Sequence, residues 1–159
     1  MSDKKPDCIA HISLDDPALS ARNADLEHER RVAIFDLIEE NHFALKDGPT
    51  GPYRVVLSLN DRGIVFAVAD LAGEKLADIE LSMRPFRRNI RDYFLICESY
   101  FEAIRSATPE KIESIDQSRR ALHNESAALL RAKLAEDADI DEDTARRLFT
   151  LISVLQMRG

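Results

Sequence analysis

The sequence has no tryptophan, only two cysteines and four histidines, and few glycines and prolines among its 159 residues. The cysteines, Cys8 and Cys97, could form one disulfide, but the first residues show no secretion signal, so we expect both thiols to stay reduced. So few cysteine and histidine side chains argue against a structural zinc site, and we expect neither a metal nor a cofactor. The scarcity of glycine and proline argues against disorder, and we expect a folded chain.

Long apolar runs are missing as well. The opening segment MSDKKPD is polar and leads into only a brief apolar run, which is too short for a signal peptide or a membrane span. We therefore expect a cytoplasmic protein that does not enter a membrane, with residues 1–7 as a short flexible tail. The length fits a single domain over residues 1–159, because a chain of this size can bury about two-thirds of its unfolded surface.

Basic residues are in deficit, with 22 lysines and arginines against 29 acids and a net charge of −7. This balance argues against a general nucleic-acid binder, which neutralises phosphates with a basic surface. No glycine-rich loop follows any strand-like segment, which argues against ordinary dinucleotide or P-loop chemistry. One local excess of positive charge remains, because residues 84–105 hold five arginines and three acids.

The apolar periodicity predicts eight elements in the order strand, helix, three strands and three helices. The three consecutive strands are joined by short turns, which implies an antiparallel meander. We predict the α+β class, with a small antiparallel meander of three to four strands packed against four helices on one face. The predicted strands cover 8–14, 53–59, 64–70 and 76–82, and the predicted helices cover 25–41, 85–107, 109–135 and 142–156.

The second predicted helix opens with arginines, whereas the other three open with acids. Arg84, Arg87, Arg88 and Arg91 share one helical face, opposite an apolar face that includes Cys97, which we expect to be buried and inert. Cations at a helix N-terminus are disfavoured by about 0.3 to 1 kcal/mol each, so helix stability does not explain the cluster. The arginines could be solvated or paired with nearby acids. We favour a non-enzymatic binding or regulatory protein that uses them to hold an acidic partner or an anionic ligand.

Two further arginines, Arg30 and Arg119, interrupt the apolar stripes of the first and third helices. They could be paired at the edge of the core, or they could line a pocket for a carboxylate or phosphate. Asp116 and His123 flank Arg119 by one turn on either side. This arrangement indicates the alternative function, an enzyme acting on an anionic small molecule, with Arg30 and Arg119 as anion clamps and His123 as a weak candidate for the acid or base. That function requires all three side chains to converge in one pocket.

The last predicted helix is apolar over more than half of its circumference. Such a helix is either central in its own fold or partly buried by another copy of the chain, so a homodimer is also expected as an alternative.

Several segments resemble an uncharacterised protein family, number 0262, of alphaproteobacteria. The resemblance covers nearly the whole chain, implies no known activity and brings no catalytic residues to carry over. The segments that carry it are DLEHERRVAIFDLIEENHF (25–43), GPYR (51–54), RPFRRNIRDYFLICESYFEAI (84–104), RRALHNES (119–126) and DTARRLFTLI (143–152).

Overall fold

The computed structural model describes residues 7–15 and 24–156, with an α+β fold in which helices cover one face of a mixed sheet. The predicted class and the four helices are confirmed. The elements are β1 (Ile9–Asp15), α1 (Ala24–Glu39), β2 (Phe43–Leu45), β3 (Tyr53–Leu59), β4 (Gly63–Ala69), β5 (Lys75–Ser82), a 3-10 turn (Arg84–Phe86), α2 (Arg87–Ser106), α3 (Pro109–Leu134), β6 (Ala138–Ile140) and α4 (Glu142–Gln156).

The main sheet has the strand order β1-β3-β4-β5. β3, β4 and β5 form the predicted antiparallel meander, but β1 lies parallel to β3, so the sheet is mixed rather than wholly antiparallel. The reason is the connection: parallel neighbours need a long crossover, and the stretch between β1 and β3 contains α1.

Two short strands were missed by the sequence prediction. β2 and β6 have three residues each and pair antiparallel, with Phe43 opposite Ile140 and Leu45 opposite Ala138. Three residues are too few to show an alternating pattern, and each strand exists only because the distant partner is brought beside it. His42 reinforces this junction through a contact of 3.1 Å between its Nε2 and Asp139 Oδ2.

The core lies between the sheet and the helices. In β3 the alternate residues Tyr53, Val55 and Leu57 are buried, whereas Arg54 and Val56 point to the exposed outer face. α4 runs through the centre, and every residue from Thr144 to Leu155 except two arginines is buried. One copy of the chain therefore accounts for the apolar circumference of α4, and homodimerisation stays a prediction.

The predicted flexible tail, residues 1–7, lies outside the described residues except for Asp7. The carbonyl oxygen of Asp7 accepts a hydrogen bond from Phe43 N at 3.1 Å, so this last residue of the tail is joined to the fold. The two cysteines are free thiols, with Cys97 buried as predicted.

Asn41 joins the end of α1 to β1 and offers a test of the fold. Its Oδ1 accepts from Ile9 N at 2.7 Å, and its Nδ2 donates to Ile9 O at 2.9 Å and Leu37 O at 2.7 Å. We expect Asn41→Ala to lower the free energy of unfolding by about 2 kcal/mol, because it leaves buried backbone groups unpaired. Urea unfolding measures this loss. Asn89→Ala, which removes a single bond to Ser126 Oγ, is the control, and equal losses in the two variants would contradict the assignment.

Candidate functional site

A groove opens beside the start of α2, and we call it the arginine groove. It has a volume of about 500 Å³ and lies between the β3–β4 turn, the first turns of α2 and the end of α4. Arg62, Arg87 and Arg91 line it together with one carboxylate, that of Asp61. Its apolar lining comes from Leu59, Met83, Ile90 and Phe94. Three guanidinium groups therefore lie beside an apolar floor.

Local structure positions the backbone of each of these arginines. Arg87 and Arg91 are four residues apart in α2, so both point to the same side of the helix. Arg62 lies in a turn closed by Asn60, whose Oδ1 accepts from Arg62 N at 2.9 Å and from Gly63 N at 2.8 Å. Met83 N donates to Arg62 O at 3.3 Å, which fixes the turn against the start of the helical region.

The N-terminus of α2 carries no compensating negative charge of its own. Neither the 3-10 turn nor α2 has an acidic residue in its first turn, and neither has a side-chain cap. Arg84 N donates to Ser82 Oγ at 3.2 Å and Phe86 N donates to Met83 O at 2.9 Å, so the leading amides have neutral partners and no acid of the first turn offsets the charge of Arg87.

The structure divides the four predicted arginines of this region. All four side chains are exposed, but only Arg87 and Arg91 line the groove. Arg88 Nε lies 3.7 Å from Asp92 Oδ2, and Arg91 Nε lies 3.6 Å from Asp92 Oδ1. These side chains are 84% and 69% exposed, so the pairs contribute little. Arg62 was missed, because no pattern in the sequence places the β3–β4 turn beside α2.

A second cavity, which we call the helix pocket, lies among the four helices and has a volume of about 260 Å³. α1 and α4 each present residues spaced three, four and seven apart, so each contributes one face to the wall. The lining residues are Glu29, Val32, Ala33 and Asp36 of α1, Tyr93 of α2, Arg119 and His123 of α3, and Asp143, Arg146, Arg147 and Thr150 of α4.

His123 is held as a neutral imidazole in this wall. Its Nε2 lies 2.8 Å from Arg146 O and 3.0 Å from Thr150 Oγ1, and because a carbonyl can only accept, Nε2 carries the hydrogen. Its ring lies against those of Tyr93 and Phe149, with centroids 5.2 and 6.1 Å away. Burial lowers the pKa of His123, and the positive charges of Arg119 and Arg146 lower it further, although the bond to the Arg146 carbonyl opposes them.

Arg119 is fixed by contacts on two sides. Its Nη2 donates to Asp116 Oδ1 at 2.7 Å, and its Cζ lies 4.6 Å from the centroid of the Tyr100 ring. Its Nε is buried and has no hydrogen-bond partner among the residues that the structure describes. An unused buried donor is costly, so Arg119 retains a capacity to bind a further acceptor.

Arg30 does not line the helix pocket with Arg119 and His123, so the convergence that the enzymatic alternative requires is not met in this structure. Arg30 Nε donates to Glu27 Oε2 at 3.0 Å, and Arg30 Nη2 pairs with the other oxygen of the same carboxylate. Glu27, three positions earlier on α1, thus binds the guanidinium group of Arg30. Arg146 and Arg147, which were not predicted as site residues, line the pocket instead.

Two side chains of α2, Tyr93 in the lining of the helix pocket and Cys97 outside it, have raised pKa values. Tyr93 OH donates to Glu29 Oε1 at 3.2 Å, and burial raises the pKa of Tyr93. Burial, with the nearby Glu29 charge, raises the pKa of Cys97 to about 11, so the thiol stays protonated at neutral pH and is a poor nucleophile.

Two negative findings apply to residues 7–15 and 24–156. In these ranges, histidine, cysteine, aspartate and glutamate side chains form no group of three or more that could hold a metal ion. Within the same ranges, every helix is too short or too polar to cross a bilayer.

Comparison with known proteins gives a consistent family assignment. Residues 6–158 match the family described as "Uncharacterised protein family (UPF0262)". A UPF0262 protein of Rhodospirillum rubrum is 53% identical over 156 residues, which cover 98% of this chain and 96% of that protein. A UPF0262 protein of Ruegeria pomeroyi is 50% identical over 156 residues, covering 95% of this chain and 97% of the relative. No solved structure matches the chain. The names of these relatives state no activity.

Proposed function

This chain belongs to the uncharacterised protein family UPF0262, and we propose that it is a binding protein whose arginine groove holds an acidic group of a partner or of a small ligand. One observation carries the proposal. Arg62 and Arg87 face the same groove as Arg91, and neither has an ion-pair partner among the described residues.

The local energetics favour an anion at this place. Cations at the start of a helix are disfavoured by about 0.3 to 1 kcal/mol, and no acid in the first turn of α2 offsets the charge of Arg87. A carboxylate, sulfonate or phosphate beside Arg87 would meet the guanidinium groups of the groove at the positive end of the helix dipole. The groove is therefore better suited to an anion-bound state than to solvent alone.

The shape of the groove restricts the ligand further. Its volume of about 500 Å³ falls in the range of small-molecule sites. Met83, Ile90 and Phe94 supply apolar area beside the charges, so the preferred ligand has an apolar or aromatic group next to its acid. An acidic peptide with a neighbouring aromatic residue has this chemistry, and so does an aromatic sulfonate or carboxylate.

The test compares two fluorescent probes that differ mainly in charge. Anilinonaphthalene sulfonate carries one anionic group, and N-phenylnaphthylamine is its uncharged counterpart. We expect saturable one-to-one binding of the sulfonate, tighter than that of the uncharged probe by about tenfold, since one charge-assisted contact provides about that factor. Arg87→Glu should remove this preference, and added salt should weaken sulfonate binding.

Arg88→Glu is the matched control. Arg88 lies next to Arg87 on α2 but outside the groove, so its reversal should leave the affinity for the sulfonate unchanged. Near-ultraviolet circular dichroism confirms that both variants keep their packing. If Arg87→Glu binds the sulfonate as tightly as the unaltered protein, the arginines are merely solvated and the proposal is wrong.

The enzymatic alternative is weaker in this structure. It required Arg30 and Arg119 to hold one anion beside His123, but Arg30 is engaged by Glu27 and does not line the pocket. Binding at the arginine groove therefore takes precedence.

A further inference from the structure

Acidic residues from α1 and basic residues from α3 and α4 line the helix pocket. Glu29 and Asp36 belong to α1, whereas Arg119 and Arg147 belong to α3 and α4. Arg146 and Asp143 also line the pocket but pair with each other within α4. The other charged residues of the lining are therefore acids from α1 and bases from α3 and α4.

No ion pair crosses this cavity within the described part of the chain. Arg119 pairs with Asp116 on its own helix, and Glu29 accepts a hydrogen bond from Tyr93. Asp36 and Arg147 have no ion-pair partner among the described residues. Half-buried acids and bases that line one cavity without forming ion pairs across it could still gain electrostatic energy from a ligand between them. A ligand with one positive and one negative group would bind the acids of α1 and the bases of α3 and α4 together.

We propose that the helix pocket binds a small zwitterion, an α-amino acid, with its carboxylate on the Arg119 and Arg147 side and its ammonium group on the Glu29 and Asp36 side. The buried Arg119 Nε, which has no partner in the described structure, offers one of the donors for the carboxylate. Because His123 directs its Nε2 hydrogen to the Arg146 carbonyl and stays neutral, it adds no positive charge to repel the ammonium group.

Size and apolar lining narrow the class of ligand. A volume of about 260 Å³ lies just below the usual range for drug-sized ligands, so it admits a free amino acid rather than a nucleotide or peptide. Val32 and Ala33 lie between Glu29 and Asp36 on the α1 wall. They provide a small apolar surface for the side chain, which favours aliphatic amino acids such as valine.

This site is separate from the arginine groove. α2 contributes Tyr93 to the helix pocket and Arg87, Ile90, Arg91 and Phe94 to the groove, so the two sites share no lining residue. Failure of one proposal therefore leaves the other intact.

The test is a titration with valine followed by amide NMR shifts, together with two analogues that each lack one charge. Isobutylamine keeps the ammonium group, and isovalerate keeps the carboxylate. We expect valine to bind saturably with a Kd of about 1 mM or tighter, and each analogue to bind at least about tenfold more weakly. The largest shifts should belong to amides of α1 and α4 beside the pocket.

Two charge-removing variants locate the binding. Asp36→Asn and Arg147→Gln should each weaken valine binding by about tenfold, because each removes one charge-assisted contact. Glu39→Gln on α1 and Lys133→Gln on α3 are the controls, since both residues are exposed and lie outside the pocket lining. Absence of valine binding overturns the proposal, and so does equal binding of isovalerate or unaltered binding by the two pocket variants.

Discussion

Replacing Phe149 by alanine is expected to lower the free energy of unfolding by about 4 kcal/mol, because removal of a large buried ring leaves a cavity that the surroundings fill only partly. Phe149 lies on the central helix α4 and has no exposed surface. Its ring meets that of Tyr93 edge to face, with centroids 5.5 Å apart, and lies 6.1 Å from the His123 ring. The substitution therefore removes apolar burial and aromatic contacts together.

Urea unfolding monitored by circular dichroism measures this loss. Phe35→Ala is the matched control, because the Phe35 side chain is 65% exposed on α1 and should cost less than about 1 kcal/mol. Phe149→Leu, which retains most of the volume, should fall between the two. A loss for Phe149→Ala no larger than that for Phe35→Ala would contradict the central position of α4.

α4 also shows which parts of the fold the sequence could predict. Its predicted bounds, 142–156, agree with Glu142–Gln156, because acids cap its start and apolar residues surround it. β3 was predicted equally well at Tyr53–Leu59, since its alternating pattern reflects one buried and one exposed face. Where a local pattern records how a segment is buried, sequence alone is sufficient.

The features that depend on distant pairing could not be predicted in this way. β2 and β6 are almost a hundred residues apart, and the direction of β1 relative to β3 is decided by how α1 returns the chain to the sheet. Neither feature leaves a periodic signal in its own residues. They arise from the tertiary arrangement, which local patterns do not contain.

The candidate sites likewise combine residues that local spacing can group with residues that it cannot. Helical spacing grouped Arg84, Arg87, Arg88 and Arg91, of which only Arg87 and Arg91 line the groove. Periodicity identifies the face of a helix but not the elements that lie beside it. Arg62 came from a separate turn and had no such signal. For Arg30 the sequence left pairing at the core edge and a shared pocket open, and Glu27, three residues earlier, is the local partner that decides for pairing.

Gly63→Ala is expected to destabilise the protein by more than about 3 kcal/mol, beyond the usual cost of overpacking, because the collision involves backbone rather than a movable side chain. A Cβ atom built on Gly63 would lie 2.0 Å from the carbonyl oxygen of Leu81 and 2.8 Å from Met83 N. Gly63 is the first residue of β4 and lies opposite Ser82 of β5. The collision can therefore be relieved only if the two strands move apart beside the turn that contains Arg62.

Position 63 thus requires glycine because no side chain fits there, and Gly48 provides the control. A Cβ at Gly48 would meet only the Leu45 side chain, nearest at 3.0 Å from its Cδ1, which can rotate away. Gly48→Ala should therefore change the free energy of unfolding by less than about 1 kcal/mol in urea unfolding.

Since Gly63 also lines the arginine groove, Gly63→Ala should weaken binding of the sulfonate probe even under conditions where the protein remains folded. Equal stability of the two alanine variants would show that β4 and β5 are not in close contact at Gly63.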